Sequence, residues 1–231
     1  MKNIVIATIK EWNINNYFEL KKELENEYSF YLISNKDELS LEKIEKINPK
    51  YIFFPHWSWI IPENIYKNYE CILFHMTDLP YGRGGSPLQN LIINKVYNTK
   101  ISAIKVSKEL DEGDVYLKED FDISKGSANE IYKNASKLIF KKLIPNILRQ
   151  NPTPVRQEGD AVNFKRRTPE QSNIKMLNDV SIANLYDFIR MLDAPSYPKA
   201  YLELDNLKME LFEVIIKDGK LEGRFEVSKH E

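Results

Sequence analysis

Two of the chain's three histidines, His56 and His75, stand at the ends of apolar runs that have the composition of buried strands. The carboxyl ends of parallel strands form the ligand crevice of an open α/β sheet, so we expect both imidazoles at one edge of the sheet. His75 has the more reactive surroundings, because Thr77 and Asp78 follow it and a glycine-rich turn comes next. An imidazole in such a place suits general acid–base chemistry. Arg83, within the turn, either binds an anion or fastens the loop by hydrogen bonds to carbonyls.

Two further segments are candidates for the same site. A carboxylate from the acidic turn LDEGD at residues 110–114 would set the tautomer of His75 and prepare it as a general base, unless the turn is simply solvated. His56 and Trp57 lie in the aromatic segment FFPHWSWIIP. That composition is typical either of packing at a strand end or of a pocket for a flat ligand.

Composition excludes several classes of function. Neither GxGxxG nor GxxxxGK[ST] occurs in the sequence, so no nucleotide phosphate cradle is predicted. The histidines are scattered and have no cysteine partners, so we expect no metal. The 33 Lys and Arg residues nearly cancel the 34 Asp and Glu residues, so there is no overall basic charge to favour a nucleic-acid partner, and we expect none.

The cellular compartment is suggested by the cysteine content and the absence of long apolar runs. The single cysteine, Cys71, excludes an internal disulfide, and its position in the run CILF favours a packed thiol over a nucleophile. The amino-terminal apolar stretch is too short for a signal peptide, and no run approaches the roughly 20 residues that span a bilayer. We expect a cytoplasmic protein with no membrane partner.

Elements that position these residues follow a βαβ pattern. Short β-branched and aromatic runs alternate with segments of helical period, which predicts an α/β, Rossmann-like fold with a mostly parallel sheet and helices on both faces. The predicted strands are Asn3–Ile9, Ser29–Ser34, Tyr51–Pro55, Cys71–Met76, Ile101–Ser107 and Val115–Ile123. The predicted helices are Asn16–Glu25, Leu41–Ile47, Pro62–Asn68, Pro87–Lys95 and one long helix, Ala128–Leu148.

The sequence pattern changes after Arg149, where prolines and a glycine occur and the regular spacing of apolar residues is lost. We therefore predict a large α/β domain at 1–150, a linker at 151–165 and a small carboxyl-terminal α+β module at 166–231. The module would hold a helix at Ser181–Leu192 and strands at Ala200–Leu204, Met209–Ile216 and Leu221–Val227. Asp218 and Gly219 give the signal of a tight hairpin turn.

In these segments the chain resembles the formyltransferases that use 10-formyltetrahydrofolate, among them methionyl-tRNA formyltransferases and sugar N-formyltransferases. The family shares the segment N-x-H-x-S-L-L-P-x-x-R-G-x-x-P-x-Q, followed by L-D-x-G-D. The first segment is matched at His75, Leu79, Pro80, Arg83, Gly84, Pro87 and Gln89, and the second at Leu110, Asp111, Gly113 and Asp114. FFPHWSWIIP takes the place of the family's folate-pocket segment, and NFKRRTPEQSNI resembles the opening of its carboxyl-terminal domain.

The resemblance implies transfer of a formyl group from the folate N10 to a primary amine, without metal. His75 and Asp111 would be the catalytic residues, with Asp111 orienting the imidazole. Thr77, Asp78 and Arg83 would contact the acceptor. The folate would contact His56, Trp57, Ile60, Ile61, Glu112, Gly113 and Asp114.

The chain departs from the family at Leu73, where the family has an asparagine that holds the formyl oxygen. Leucine cannot donate a hydrogen bond, and loss of one such donor typically costs on the order of 10²–10³ in rate. Candidates for the replacement are Thr77, His56 or a backbone N–H of the glycine turn.

We predict an N-formyltransferase whose acceptor is the primary amine of an amino sugar, and we expect that sugar to be nucleotide-linked. Two alternatives stay open: formylation of methionyl-tRNA, and a catalytically silent homologue that binds folate or a sugar nucleotide because Leu73 replaces the asparagine. The resemblance also implies a homodimer if the terminal module exposes an apolar edge.

Overall fold

The computed structural model describes residues 1–195 and 197–229, and its largest element is a six-stranded sheet in the order β2-β1-β3-β4-β6-β7. Strands β2, β1, β3 and β4 are parallel neighbours, and β6 runs antiparallel to β4. This arrangement, with a small carboxyl-terminal β module, confirms the predicted fold class. The strands are β1 Lys2–Ala7, β2 Tyr28–Ile33, β3 Tyr51–Phe54, β4 Cys71–His75, β5 Tyr81–Gly84, β6 Asn98–Lys105, β7 Val115–Asp122, β8 Val162–Phe164, β9 Ala200–Leu204, β10 Leu207–Lys217 and β11 Lys220–Lys229.

Helices connect the parallel strands, as parallel pairing requires. Alternate residues of β1 point to opposite faces of the sheet, and Val5 lies in a core cluster with Ile44 and Ile65 from two of these helices. On another helix, Asn16 donates a hydrogen bond to Ser136 at 2.7 Å. The helices are α1 Glu11–Leu24, α2 Leu41–Ile47, α3 Glu63–Tyr66, α4 Pro87–Ile93, α5 Ala128–Leu138, α6 Ile144–Gln150 and α7 Ile182–Arg190.

The predicted long helix Ala128–Leu148 is interrupted. A π-helical segment, Ile139–Leu143, separates α5 from α6. Pro145, in the first turn of α6, has no N–H to donate, and its ring would clash with the carbonyl four residues earlier in a regular α-helix. The wider π turn avoids that clash, so the chain stays helical from α5 to α6 with a local change of pitch.

The glycine-rich segment, which the sequence indicated as a turn, contains strand β5, and β5 pairs with β8 from the predicted linker. Gly84 has φ +96°, and a Cβ on it would lie 2.5 Å from the carbonyl oxygen of Phe164. The absence of a side chain therefore allows this close backbone approach.

Contacts between Cα atoms divide the chain into two compact units, each built from several segments. The first comprises Met1–Arg83, Lys100–Phe121 and Lys133–Val162, and the second Gly84–Thr99, Asp122–Tyr132 and the described residues from Asn163 onward. The division at residues 150 and 165 stays a prediction. Within the second unit, β9, β10 and β11 form an antiparallel sheet. The predicted hairpin turn is present, with positive φ at both Asp218 and Gly219.

Cys71 lies in the core of the first unit, with only 1% of its surface exposed. Burial, helped by the negative charge of Glu70, raises the pKa of its thiol to about 12. The thiol is therefore protonated at neutral pH, as expected for a packed residue rather than a nucleophile. No helix in the described ranges is both long enough and apolar enough to cross a membrane.

Candidate active site

His75 and Asp111 lie side by side. His75 ends β4, and Asp111 follows β6 in a loop where its φ is +57°. Both side chains are buried, with 3.4 Å between His75 Nδ1 and Asp111 Oδ2. On the other side of the ring, Nε2 lies 2.8 Å from the carbonyl oxygen of Gly82. The structure thus brings together the two residues that the sequence indicated as a catalytic pair.

The partners of the His75 ring indicate where its hydrogens lie. The Gly82 carbonyl can only accept, so its contact requires a hydrogen on Nε2. Without a hydrogen on Nδ1, that nitrogen's lone pair would face the Asp111 carboxylate. The two contacts together place a hydrogen-bond acceptor beside each ring nitrogen.

Leu73 lies two residues before His75 on the same face of β4. Its side chain packs against the apolar residues Leu79, Ile104 and Val115. Thr77, one candidate for the missing donor, is fully buried, and its hydroxyl donates to the Gly82 carbonyl at 3.3 Å. Thr77 and His75 therefore share one acceptor, whereas Leu73 contributes packing alone.

Arg83 and the acidic turn are joined through a residue that the sequence analysis missed. Arg83 Nη1 pairs with Glu112 at 2.9 Å, and its Nε and Nη2 donate to Gln157 Oε1 at 3.2 and 2.9 Å. Gln157 Nε2 donates to the carbonyls of Asp111 and Gly113, both at 2.8 Å. Arg83 thus fastens the loop, through side chains rather than carbonyls, and its contact with an acceptor stays a prediction.

Other predicted site residues have structural partners. Asp78 pairs with Lys118 at 2.6 Å, which fits a loop-stabilising carboxylate, and its contact with an acceptor stays a prediction. A Cβ on Gly113 would lie 1.7 Å from the Lys105 carbonyl oxygen, so only glycine fits there. Beside it, the Asp114 carbonyl accepts a hydrogen bond from the Lys105 N–H at 2.8 Å.

His56 and His75 lie at equivalent places on neighbouring strands, because β3 and β4 are parallel and pair Phe54 with Leu73. Burial, followed by the positive charge of Lys10, lowers the pKa of His56 to about 4. The imidazole is therefore neutral at pH 7. The pairing of β3 with β4 confirms the predicted placement of both imidazoles at one edge of the sheet.

An aromatic cluster surrounds His56. Its ring meets Trp12 edge-on at 6.1 Å, and Trp57 meets Trp59 at 4.9 Å. The indole N–H groups of Trp12 and Trp57 are buried without a hydrogen-bond partner among the described residues. Buried donors of this kind are suited to an acceptor on a ligand. Trp12 was missed from sequence because it lies far from the aromatic segment, and Ile60 is 94% exposed whereas Ile61 packs at the edge of the core.

Within the described ranges, no group of three or more His, Cys, Asp or Glu side chains is arranged to hold a metal ion.

Comparison with known proteins identifies the family. The family model for the methionyl-tRNA formyltransferase carboxyl-terminal domain matches residues 169–228. A solved methionyl-tRNA formyltransferase from Clostridium thermocellum is 50% identical, with a TM-score of 0.95, and the match covers 99% of this chain and 100% of that one. The chain belongs to the formyltransferase family.

Other formyltransferases are more distant. A curated methionyl-tRNA formyltransferase from Rickettsia felis is 30% identical over 144 residues, which are 60% of this chain and 48% of that protein. The chain spans about half the length of the curated relatives it matches. A sugar N-formyltransferase from Shewanella is 15% identical, with a TM-score of 0.70, and covers 97% of this chain and 96% of its own. That similarity shows a shared fold.

Proposed function

We propose that this chain transfers the formyl group of 10-formyltetrahydrofolate to the amino group of methionyl-tRNA. The observation that carries the proposal is the full-length similarity, at 50% identity, to a protein named methionyl-tRNA formyltransferase. This acceptor was the alternative in the sequence analysis, where an amino sugar came first. The amino sugar now has weaker support, because the sugar N-formyltransferase shares only the fold.

In the proposed reaction the amine nitrogen attacks the formyl carbon, and the C–N10 bond of the folate breaks. The amine loses one proton and N10 gains one. The buried His75 ring, between Asp111 and the Gly82 carbonyl, supports a role as donor to the formyl oxygen as negative charge develops there. His75 would thereby supply part of what the family obtains from the asparagine replaced by Leu73. Asp111 would hold the ring in place.

The first test is to incubate the protein with 10-formyltetrahydrofolate and methionyl-tRNA, and to measure the mass of the released methionine. We expect a gain of one formyl group. His75→Ala and Asp111→Ala should each lower kcat/KM by about 10²–10³, because the first removes the donor to the formyl oxygen and the second removes the carboxylate that holds that donor in place. Lys46→Ala is the matched control, since Lys46 forms an exposed ion pair with Glu42 on α2 and should leave the rate unchanged.

Parallel reactions with nucleotide-linked amino sugars distinguish the alternatives. Formylation of a sugar without formylation of tRNA would overturn the proposed acceptor. Binding of the folate by calorimetry, with no product from any acceptor, would instead indicate the catalytically silent homologue.

A further inference from the structure

We propose that Gln157 is a positioning residue that holds Asp111 against His75; this inference rests on the proposed function. The Gln157 amide lies between Arg83 and the acidic turn. It accepts two hydrogen bonds from the guanidinium and donates one to each of the carbonyls of Asp111 and Gly113. One side chain therefore connects β5 with the turn that carries the carboxylate.

The hydrogen bonds of Gln157 use the full capacity of its amide group. The NH₂ group has two hydrogens and the carbonyl oxygen has two lone pairs, and all four are engaged. The partners also determine the orientation of the amide. Rotating it by half a turn would place its oxygen against two carbonyls and its NH₂ group against the Arg83 guanidinium.

The turn needs external support, because Asp111 has φ +57°, a conformation unfavourable for a residue with a side chain. The adjacent Glu112 pairs with Arg83, and Gln157 binds the carbonyls on either side. Three consecutive residues of the turn, 111–113, are thus held by side chains from outside it. Since the Asp111 carboxylate meets His75 at 3.4 Å, a small movement of the turn would change that contact directly.

The segment that carries Gln157 is itself anchored two residues earlier. The backbones of Val155 and Val115 exchange hydrogen bonds of 2.7 and 2.9 Å. Val115 is the first residue of β7. Gln157 is therefore supported by the edge of the central sheet, as a residue that positions another side chain must be.

The test compares Gln157→Ala and Gln157→Glu with the native chain in the methionyl-tRNA assay. Glutamate retains the length and the pairing with Arg83 but cannot donate to the two carbonyls. We expect kcat to fall about 10–100-fold in both variants, with KM for either substrate changed less than about threefold. Arg156→Ala is the matched control, because its side chain is exposed on the same segment and should leave kcat unchanged.

A second measurement does not depend on activity. Nitrogen NMR of ¹⁵N-histidine-labelled protein reports the hydrogens on each imidazole, and the His75 signals can be assigned by their loss in His75→Ala. In Gln157→Ala the His75 signals should shift in the same direction as in Asp111→Ala, while those of His56 stay in place. Thermal unfolding of each variant, followed by circular dichroism, identifies any variant that does not fold. If Gln157→Ala does not fold, the same measurements are made on Gln157→Glu.

The two readouts separate this inference from the proposed function. If no acceptor is formylated but the His75 signals shift, the proposed function fails while the positioning contact stands. If the signals and kcat both stay unchanged in a folded variant, Gln157 does not position Asp111. A loss of kcat with unshifted His75 signals would also overturn the inference, since Gln157 would then act by another route.

Discussion

Leu73 and His75 share one face of β4, and only the histidine can stabilise a developing negative charge. An apolar residue beside the ring also limits the water that reaches the reacting atoms, which strengthens any hydrogen bond made there. The Gly82 carbonyl that now accepts from Nε2 would have to be exchanged for the formyl oxygen. The role proposed for His75 therefore requires a small local change around its imidazole.

The neutral state of His56 predicts a pH-dependent stability. Its pKa is about 4 in the folded chain and ordinarily 6.5, so the unfolded state binds more protons between these values. The contribution is complete above about pH 6.5 and is lost as the pH falls towards 4, by at most about 3 kcal/mol. Urea denaturation across this range should show the loss in the native chain and a shallower loss in His56→Asn, which tolerates the φ of +56°. If the free energy of unfolding falls equally with pH in both proteins, the stabilising role of neutral His56 is wrong.

Single residues differ in how far the sequence could reveal them. His75 and Asp111 were predictable because each belongs to a motif with definite spacing. Gln157 was not, because it lies in a segment without periodicity, and its partners are 44, 46 and 74 residues away in the sequence. A hydrogen bond of this kind leaves no local pattern.

Among the elements, α7 carries a buried ionic network. Arg190 is 1% exposed and binds Asp187 at 2.7 Å, and Asp187 also accepts from Lys95 and Tyr97. Burial alone would raise the pKa of Asp187, but the hydrogen bonds from Tyr97, Lys95 and Arg190 lower it overall. The buried charges of Asp187 and Arg190 are therefore stabilised by their hydrogen-bond partners within this network.

Asp187→Ala should destabilise the second unit by about 3–5 kcal/mol, because it leaves the Arg190 guanidinium buried without its carboxylate. Thermal and urea unfolding of the native chain and the variant measure the difference. Glu42→Ala breaks an exposed ion pair and should change the free energy of unfolding by less than about 1 kcal/mol. An equally small effect in Asp187→Ala would show that the network adds little to stability.

Element types were predicted well where periodicity was strong, and the parallel strands β1 to β4 are examples. Element ends depended on side-chain chemistry that periodicity does not capture. Pro145 changes the helical pitch, and Gly84 allows a backbone pairing that turned an expected loop into β5. The sequence pattern also could not show that β8 pairs with β5, since strand pairing is a long-range property.

At the scale of the whole molecule, the net charge of −1 predicts that recognition of the proposed tRNA acceptor depends only weakly on salt. Each phosphate neutralised by the protein releases counterions, and we expect a nearly neutral chain to neutralise few phosphates. A plot of log kcat/KM for methionyl-tRNA against log salt concentration should therefore have a shallow slope. The same plot for the formyl donor is the control, and a steep slope for the tRNA alone would indicate a concentrated basic surface.

The terminal module bears on the expected homodimer. Cross-strand pairing puts Leu204 beside Leu207, and Phe225 and Val227 opposite Leu211 and Met209, on one face of the sheet. Phe225 is 63% exposed. The apolar surface that the expectation required is present in the described residues, and the homodimer itself stays a prediction.

The unreactive Cys71 has a practical consequence for labelling. The chain has one cysteine, and its thiol is buried and protonated at neutral pH. A maleimide dye would therefore react at a cysteine introduced on the surface, without prior removal of the native residue. Fluorescence from such a site would follow substrate binding in an otherwise unaltered chain.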